Sequence, residues 1–134
     1  MSTDNRRKIG EEKMKEVYAG DVVVPGEGYP FTDVMIETLF AEVWTRDTLS
    51  MRDKRILLLG MIAAQGEPDT FKIQVRAAVK KGELSPEEIR ELHVFIAHYC
   101  GYPKAAALVM PLETAIAEAQ KDLEKSEQDK GTEE

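Results

Sequence analysis

Both histidines and the single cysteine of this chain lie in the segment ELHVFIAHYCGYP, residues 91–103. Imidazole can transfer protons near neutral pH, and a thiol can act as a nucleophile or a redox group. With about 100° of rotation per residue on a helix, Glu91 and His98 lie on the same side. A carboxylate beside an imidazole in poorly hydrated surroundings is a reasonable proton-transfer unit, so this pair is the first candidate for chemistry.

Each of these residues also has a structural interpretation. His98 can equally serve as a structural hydrogen-bonding residue, and a structural role is favoured for His93. Cys100 has no basic neighbour other than histidine to activate it, so it is more readily a small hydrophobic residue. The two histidines point in different directions and cannot form the i, i+4 pair of a zinc-binding helix, so we predict no metal site.

The helix that carries these residues is apolar around most of its circumference. Val94 and Ala97 lie on the side that would otherwise face solvent. A helix of this kind is buried, either in the centre of the subunit or between subunits. The opposite, broad apolar face consists of Ile89, Leu92, Phe95, Ile96 and Tyr99.

Helical periodicity dominates the rest of the chain, which predicts an all-α, single-domain bundle of about six helices over residues 1–125. Residues 126–134 are polar and charged without an apolar face, so we predict a disordered acidic tail there. Proline, serine, threonine and glycine mark the expected helix ends. The predicted helices span residues 4–19, 32–44, 51–65, 68–81 and 86–100, with a last one from 103 that Pro111 kinks or restarts.

The overall charge and hydropathy exclude several classes of partner. The 25 acidic and 18 basic side chains leave a net charge of −7, which argues against binding to nucleic acid. The longest apolar run, residues 56–64, is far shorter than the roughly 20 residues of a membrane span. The first residues lack the apolar run of a signal peptide, so we expect a cytoplasmic protein with no membrane partner.

Three stretches together resemble the carboxymuconolactone decarboxylase family, whose wider superfamily contains the alkylhydroperoxidase-D-like proteins. They are LFAEVWTRDTLSMRDKR (residues 39–55), IQVRAAVKKGELSPEEIREL (residues 73–92) and HYCGYPKAA (residues 98–106). The resemblance implies an alkylhydroperoxidase-D-like helical subunit in an obligate homo-oligomer, a homotrimer or homohexamer, with active sites near subunit contacts. It also implies loss of carbon dioxide from a carboxylate-bearing muconolactone in aromatic-compound breakdown, without a metal or organic cofactor.

The chain departs from the family at its functional positions. The peroxidase-like branch has a glutamate, two cysteines and a histidine where this chain has Arg55, Glu67, Thr70 and Gln74. A thiol-dependent peroxidase acting through Cys100 is therefore the least favoured alternative, because the thiol has no resolving partner in its own chain. The decarboxylase branch has a glutamate and a histidine at the positions of Thr70 and Gln74, which leaves the substrate open.

The matched arginines fit the chemistry of a carboxylate-bearing substrate. Arg46 and Arg76 can hold carboxylates through two-pronged hydrogen bonds, or can form structural ion pairs, for instance with Glu42. His98, with Tyr99 or Glu91, can supply a proton to the carbanion that decarboxylation leaves behind.

Trp44, the only tryptophan, together with Glu42 and Gln74 completes the predicted substrate-binding residues, although a tryptophan of this kind is more often part of a core. The sequence thus favours a cofactor-free lyase for a carboxylate-bearing lactone or a related cyclic small molecule. The alternative is a non-catalytic oligomeric binding module on the same fold.

Overall fold

Local capping chemistry sets most helix boundaries in this chain. A computed structural model describes residues 3–132, and all regular structure among them is helical, so the predicted all-α class is confirmed. The helices are α1 (Thr3–Val17), α2 (Pro30–Val34), a π-helical segment that continues it (Met35–Val43), α3 (Met51–Gln65), α4 (Pro68–Lys80), α5 (Pro86–Cys100), α6 (Tyr102–Ala106) and α7 (Val109–Thr132).

The boundaries of α3, α4 and α5 agree with the sequence-based prediction. Gly66 follows α3 with φ of 73°, and Gly82 follows α4 with φ of 69°, a backbone conformation that favours glycine. Before α5, the Glu88 N–H donates to Ser85 Oγ at 3.1 Å, and the Ser85 N–H donates to Glu88 Oε1 at 3.0 Å. This reciprocal capping box satisfies two N–H groups that the helix itself cannot use.

Three local predictions differ from the structure. The second helix begins at Pro30 rather than at a Thr32 cap, because the Thr32 hydroxyl donates to the Tyr29 carbonyl instead. The predicted last helix is divided into α6 and α7, with Pro111 in the first turn of α7, where its missing N–H costs nothing. Residues 126–132 continue α7 rather than forming a coil, with the good helix formers Glu127, Gln128 and Lys130 among them, and residues 133–134 lie outside the described part.

The chain divides into two compact units, and the first comprises Met1–Ser50. In it, α1 packs against the π-helical segment. Gly10 allows this contact, because a Cβ at that position would overlap the Ile36 carbonyl oxygen. Arg7 is buried and donates to Asp33 Oδ1 at 2.8 Å and to the Pro25 carbonyl at 2.7 Å, which fixes the loop before α2. The core of this unit contains Met14, Val17, Ile36, Phe40 and Trp44.

The second unit, Met51–Glu134, is built around the packing of α4 along α7. Helix α3 packs on α4 and contacts α5 and α6, and α6 lies against α5. The apolar stripes of α3, α4 and α7 meet in one core, which includes Leu59, Ile62, Phe71, Val75, Ala78, Ile89, Leu108, Leu112, Ala115, Ile116 and Ala119. Beyond Ala119 the last described turns of α7 carry mostly exposed side chains.

Candidate functional site

A charged side chain lies in the core of the second unit. The Arg55 side chain on α3 is 0% exposed, and its Nε donates to Glu83 Oε1 at 2.7 Å. Its Nη2 donates to Glu83 Oε2 at 3.3 Å, and its Nη1 donates to Gln74 Oε1 at 2.5 Å. We call these three residues the Arg55 cluster.

The helix phases explain why these side chains meet. Arg55, Leu59 and Ile62 share the buried stripe of α3, so the guanidinium points where an apolar side chain would be expected. Gln74 occupies the buried stripe of α4, and Glu83 lies in the turn after Gly82. A buried charge is strongly unfavourable unless it is paired and hydrogen-bonded, and Glu83 and Gln74 meet both needs.

The Arg55 cluster combines three chemical capacities in one water-poor place. A guanidinium can stabilise an oxyanion, a carboxylate can accept a proton, and a primary amide can both donate and accept a hydrogen bond. The guanidinium and the Glu83 carboxylate balance each other in charge. To recognise an anionic group, or to stabilise negative charge that develops during a reaction, the guanidinium would have to exchange Glu83 or Gln74 for the substrate.

Of the residues predicted to bind substrate, Gln74 is part of the Arg55 cluster, whereas Arg76 is directed elsewhere. Arg76 Nη1 donates to Glu118 Oε2 at 2.5 Å, and Nη2 donates to Asp122 Oδ2 at 2.9 Å. The guanidinium does hold carboxylates by its two prongs, but they belong to α7 of the same chain. The geometry matches the structural alternative for Arg76, an ion pair that ties α4 to α7.

The matched residues of EVWTR belong to the first unit. Trp44 is only 8% exposed and forms part of the core there, as its structural interpretation predicted. Glu42 forms an ion pair with Arg6 on α1, and the side chain of Arg46 is exposed. A role of Arg46 in binding a carboxylate stays a prediction.

His98 lies on an exposed side of α5. Its Nδ1 lies 2.8 Å from the Val94 carbonyl oxygen, which can only accept, so Nδ1 carries a proton and donates to it. The ring meets Tyr102 edge to face, with 5.6 Å between ring centroids. Glu91 is seven residues earlier, about 10 Å along the helix, so the predicted pair makes no direct contact within one chain.

Of the two alternatives for this part of α5, burial in the centre of the subunit does not hold, because packing against α3 and α6 uses only the other side of the helix. Covering by a second subunit stays a prediction. Tyr99 is 82% exposed and packs on Phe95, with ring centroids 5.2 Å apart. Cys100 is half-buried at the end of α5.

His93 has the structural role that the sequence favoured. Its Nε2 lies 2.7 Å from the Ala105 carbonyl oxygen and donates to it, which joins α5 to α6. No group of three or more His, Cys, Asp or Glu side chains in residues 3–132 could hold a metal ion.

The sequence did not point to Glu83, and Arg55 was noted only as the residue that stands where the peroxidase-like branch has a glutamate. A signal was nevertheless present, since Arg55 stands on the apolar stripe of α3 at helical spacing from Leu59 and Ile62. A charge in such a place requires a buried counter-ion. The sequence offered several acidic residues for that role and did not identify which one.

A separate cleft of about 290 Å³ lies between α3 and α5, and we call it the α3–α5 cleft. Arg52 Nη2 donates to Glu88 Oε2 at 2.7 Å on its rim. The hydrogen bond from the Ser85 N–H, followed by the bond from Arg52, holds the pKa of Glu88 below its usual value. The cleft is lined by Arg52, Ile56, Leu84, Glu88, Glu91, Leu92 and Phe95.

The fold and the Arg55 cluster together define an all-helical protein with a buried polar site between two core helices. Residues 30–114, more than half of the chain, match the carboxymuconolactone decarboxylase family, and the chain belongs to this family. The family resemblance read from the sequence is thereby confirmed.

One curated relative is nitrosuccinic acid decarboxylase npaB of Metarhizium robertsii, which is 29% identical over 91 residues. The match covers 65% of this chain and 63% of that protein, so the chain spans less than two thirds of its relative. A comparison with solved structures finds no significant match. Within residues 3–132, each helix is too short or too polar to cross a membrane.

Proposed function

We propose that this chain is a cofactor-free carboxy-lyase for a carboxylate-bearing lactone or a related small acid, and that the Arg55 cluster is its site. The observation that carries the proposal is the buried contact between Arg55 and Gln74. The resemblance gives the Gln74 position to a functional histidine in both branches and the Arg55 position to a functional glutamate of the peroxidase-like branch, and here the two side chains meet at 2.5 Å. Family membership and the relative named as a decarboxylase support the type of reaction.

The chemistry needs stabilisation of one electron pair. When the bond between the substrate carbon and its carboxylate breaks, carbon dioxide leaves and the electron pair moves into a neighbouring electron-withdrawing group. A guanidinium beside that group stabilises the developing negative charge, and the water-poor surroundings strengthen the effect. A proton then returns to the carbon. The assignment of this proton to His98, with Glu91 or Tyr99, stays a prediction.

The proposal includes a homo-oligomer, a trimer or hexamer, as the resemblance implies. Exposed aromatic side chains at the end of α5 and the start of α6 support it, since Tyr99 and Tyr102 are both more than half exposed in the single chain. Exposed aromatic groups on one helix side are typical of surfaces that another chain covers. Sedimentation equilibrium of the wild type and of Tyr102→Glu tests this part.

The activity test measures carbon dioxide release from a panel that contains 4-carboxymuconolactone, nitrosuccinic acid and related lactone acids. Arg55→Lys keeps the charge but loses the planar fork, so we expect a loss of at least about a hundredfold in kcat/KM. Arg90→Lys is the matched control on an exposed ion pair with Glu113 and should leave the rate unchanged. Release of no carbon dioxide from any panel member, or full activity of Arg55→Lys, would refute the proposal.

A second variant tests the named family reaction. Thr70→Glu with Gln74→His restores the two residue types that the resemblance gives for the decarboxylase branch. If only this double variant acts on 4-carboxymuconolactone, the fold supports the reaction and the wild type uses a different acid.

A non-catalytic assembly module is the second candidate function. It is favoured by the closure of the Arg55 cluster, in which Arg55 is fully buried and bonded to side chains of its own chain. In that case an Arg55→Met, Glu83→Leu double variant would assemble like the wild type and neither protein would bind an acid. For the peroxidase alternative, a Cys100→Ser variant that still consumes peroxide would eliminate a role of the thiol.

A further inference from the structure

The α3–α5 cleft has apolar walls and a charged rim. Its walls are Ile56 from α3, Leu84 from the turn before α5, and Leu92 and Phe95 from α5. Leu84 is buried, whereas Phe95 is 65% exposed and presents its ring at the opening. The volume of about 290 Å³ is at the lower end of the range for small-molecule sites.

The charges on the rim do not cancel. Arg52 is engaged twice, through its bond to Glu88 and through its Nε, which donates to the Glu83 carbonyl at 3.1 Å. The lowered pKa of Glu88 keeps this partner ionised. No hydrogen bond or ion pair to the Glu91 carboxylate occurs within residues 3–132. With one positive and two negative groups, the rim has a net charge of −1.

We propose that the α3–α5 cleft binds a small organic amine, with its ammonium at Glu91 and its apolar body on Leu92, Phe95 and Ile56. A neutral ligand would dehydrate the Glu91 carboxylate without pairing it, which is unfavourable. An anion would face the net negative charge, because Arg52 already has its partners. An ammonium balances Glu91, and the adjacent Phe95 ring adds a favourable interaction with the cation.

The site is separate from the Arg55 cluster, since the two share no side chain. It gives Glu91 a binding role in place of the proton-transfer role that the sequence suggested. Glu91 is the residue that the cleft shares with the predicted proton donors, so carbon dioxide release by an Arg55 variant and amine binding by Glu91→Gln test the two proposals separately.

The test uses the full chain and three probes of one shape: 2-phenylethylamine, 2-phenylethanol and 3-phenylpropionate. Methyl NMR signals of Ile56, Leu84 and Leu92 report binding. We expect the amine to shift these signals and to bind more tightly than the alcohol or the acid. Glu91→Gln should weaken the amine by about threefold to fivefold, as for an exposed ion pair, and added salt should weaken it too.

Glu87→Gln is the matched control, because Glu87 is exposed on the first turn of α5 and does not line the cleft. It should leave the affinity for the amine unchanged. Equal binding of the amine and the alcohol, equal effects of the two substitutions, or the absence of any shift would overturn the proposal. A change in oligomeric state on Glu91→Gln would assign the cleft to a subunit contact and would also overturn it.

Discussion

Replacing Glu83 by Gln removes the negative charge that balances a guanidinium without solvent exposure. Arg55 is 0% exposed and the Glu83 side chain 8% exposed, so water cannot take over the role of the lost charge. Removal of one partner from a buried ion pair typically costs about 3–5 kcal/mol. For a chain of this size, that loss lowers the midpoint of thermal unfolding by about 10 °C or more.

The matched comparison is Glu113→Gln, which removes the same charge from an exposed pair with Arg90. The side chains of that pair are 51% and 43% exposed, so we expect a loss below about 1 kcal/mol. The assay is urea unfolding followed by far-UV circular dichroism, because Glu83 belongs to the second unit and Trp44 fluorescence reports the first.

A further variant separates the destabilisation caused by an unpaired buried charge from the net stabilisation that the ion pair provides. Arg55→Met with Glu83→Leu removes both charges, so it should be less destabilised than Glu83→Gln although more atoms change. Equal stabilities of Glu83→Gln and Glu113→Gln would refute the reasoning, since they would mean that the Arg55 guanidinium reaches water in the folded protein.

The structure makes three further predictions. Gly10→Ala should destabilise the first unit by about 1–3 kcal/mol, measured by Trp44 fluorescence during urea unfolding, because the new Cβ would overlap the Ile36 carbonyl. Gly60→Ala is the matched control: nothing lies within 4 Å of its Cβ, so it should stabilise α3 by about 0.5–1 kcal/mol. Arg76→Met should cost about 1–2 kcal/mol at low salt and less at high salt, and an unchanged urea midpoint at low salt would contradict the ion pairs to α7. The hydrogen bond from Arg90 lowers the pKa of Glu113, so the ionised carboxylate stabilises the folded protein at neutral pH, and this stabilisation is lost as the pH falls below the usual glutamate value of 4.5. Urea unfolding at several pH values should therefore show a smaller decrease in the free energy of unfolding on acidification for Glu113→Gln than for the wild type.

Much of the local structure could be predicted because its causes are local. Glycines at positive φ end α3 and α4, and the Ser85 capping box starts α5, so each boundary depends on a few adjacent residues. The π-helical segment could not be predicted in this way. Its i to i−5 bonds, such as the Trp44 N–H to the Leu39 carbonyl at 2.9 Å, have no local signature, and we expect its packing against α1 to maintain them.

The candidate site was only partly accessible from the sequence. The family resemblance pointed to both Gln74 and Arg76, yet only Gln74 contacts the buried guanidinium of Arg55. The burial of His98 was inferred from an apolar helix circumference, and periodicity alone does not say which neighbour covers each side. Within one chain, α3 and α6 cover only part of α5.

By itself, the sequence determined the all-α class, most helix ends, the family and the acidic charge balance, because these depend on composition and on neighbours within a few residues. Tertiary structure decided which charges meet: Arg55 with Glu83 across 28 residues, and Arg76 with Glu118 across 42. The helix phase places a guanidinium on a buried stripe. Several carboxylates in the sequence could pair with this guanidinium. Only the packing of another element against the stripe brings one of them within hydrogen-bonding distance.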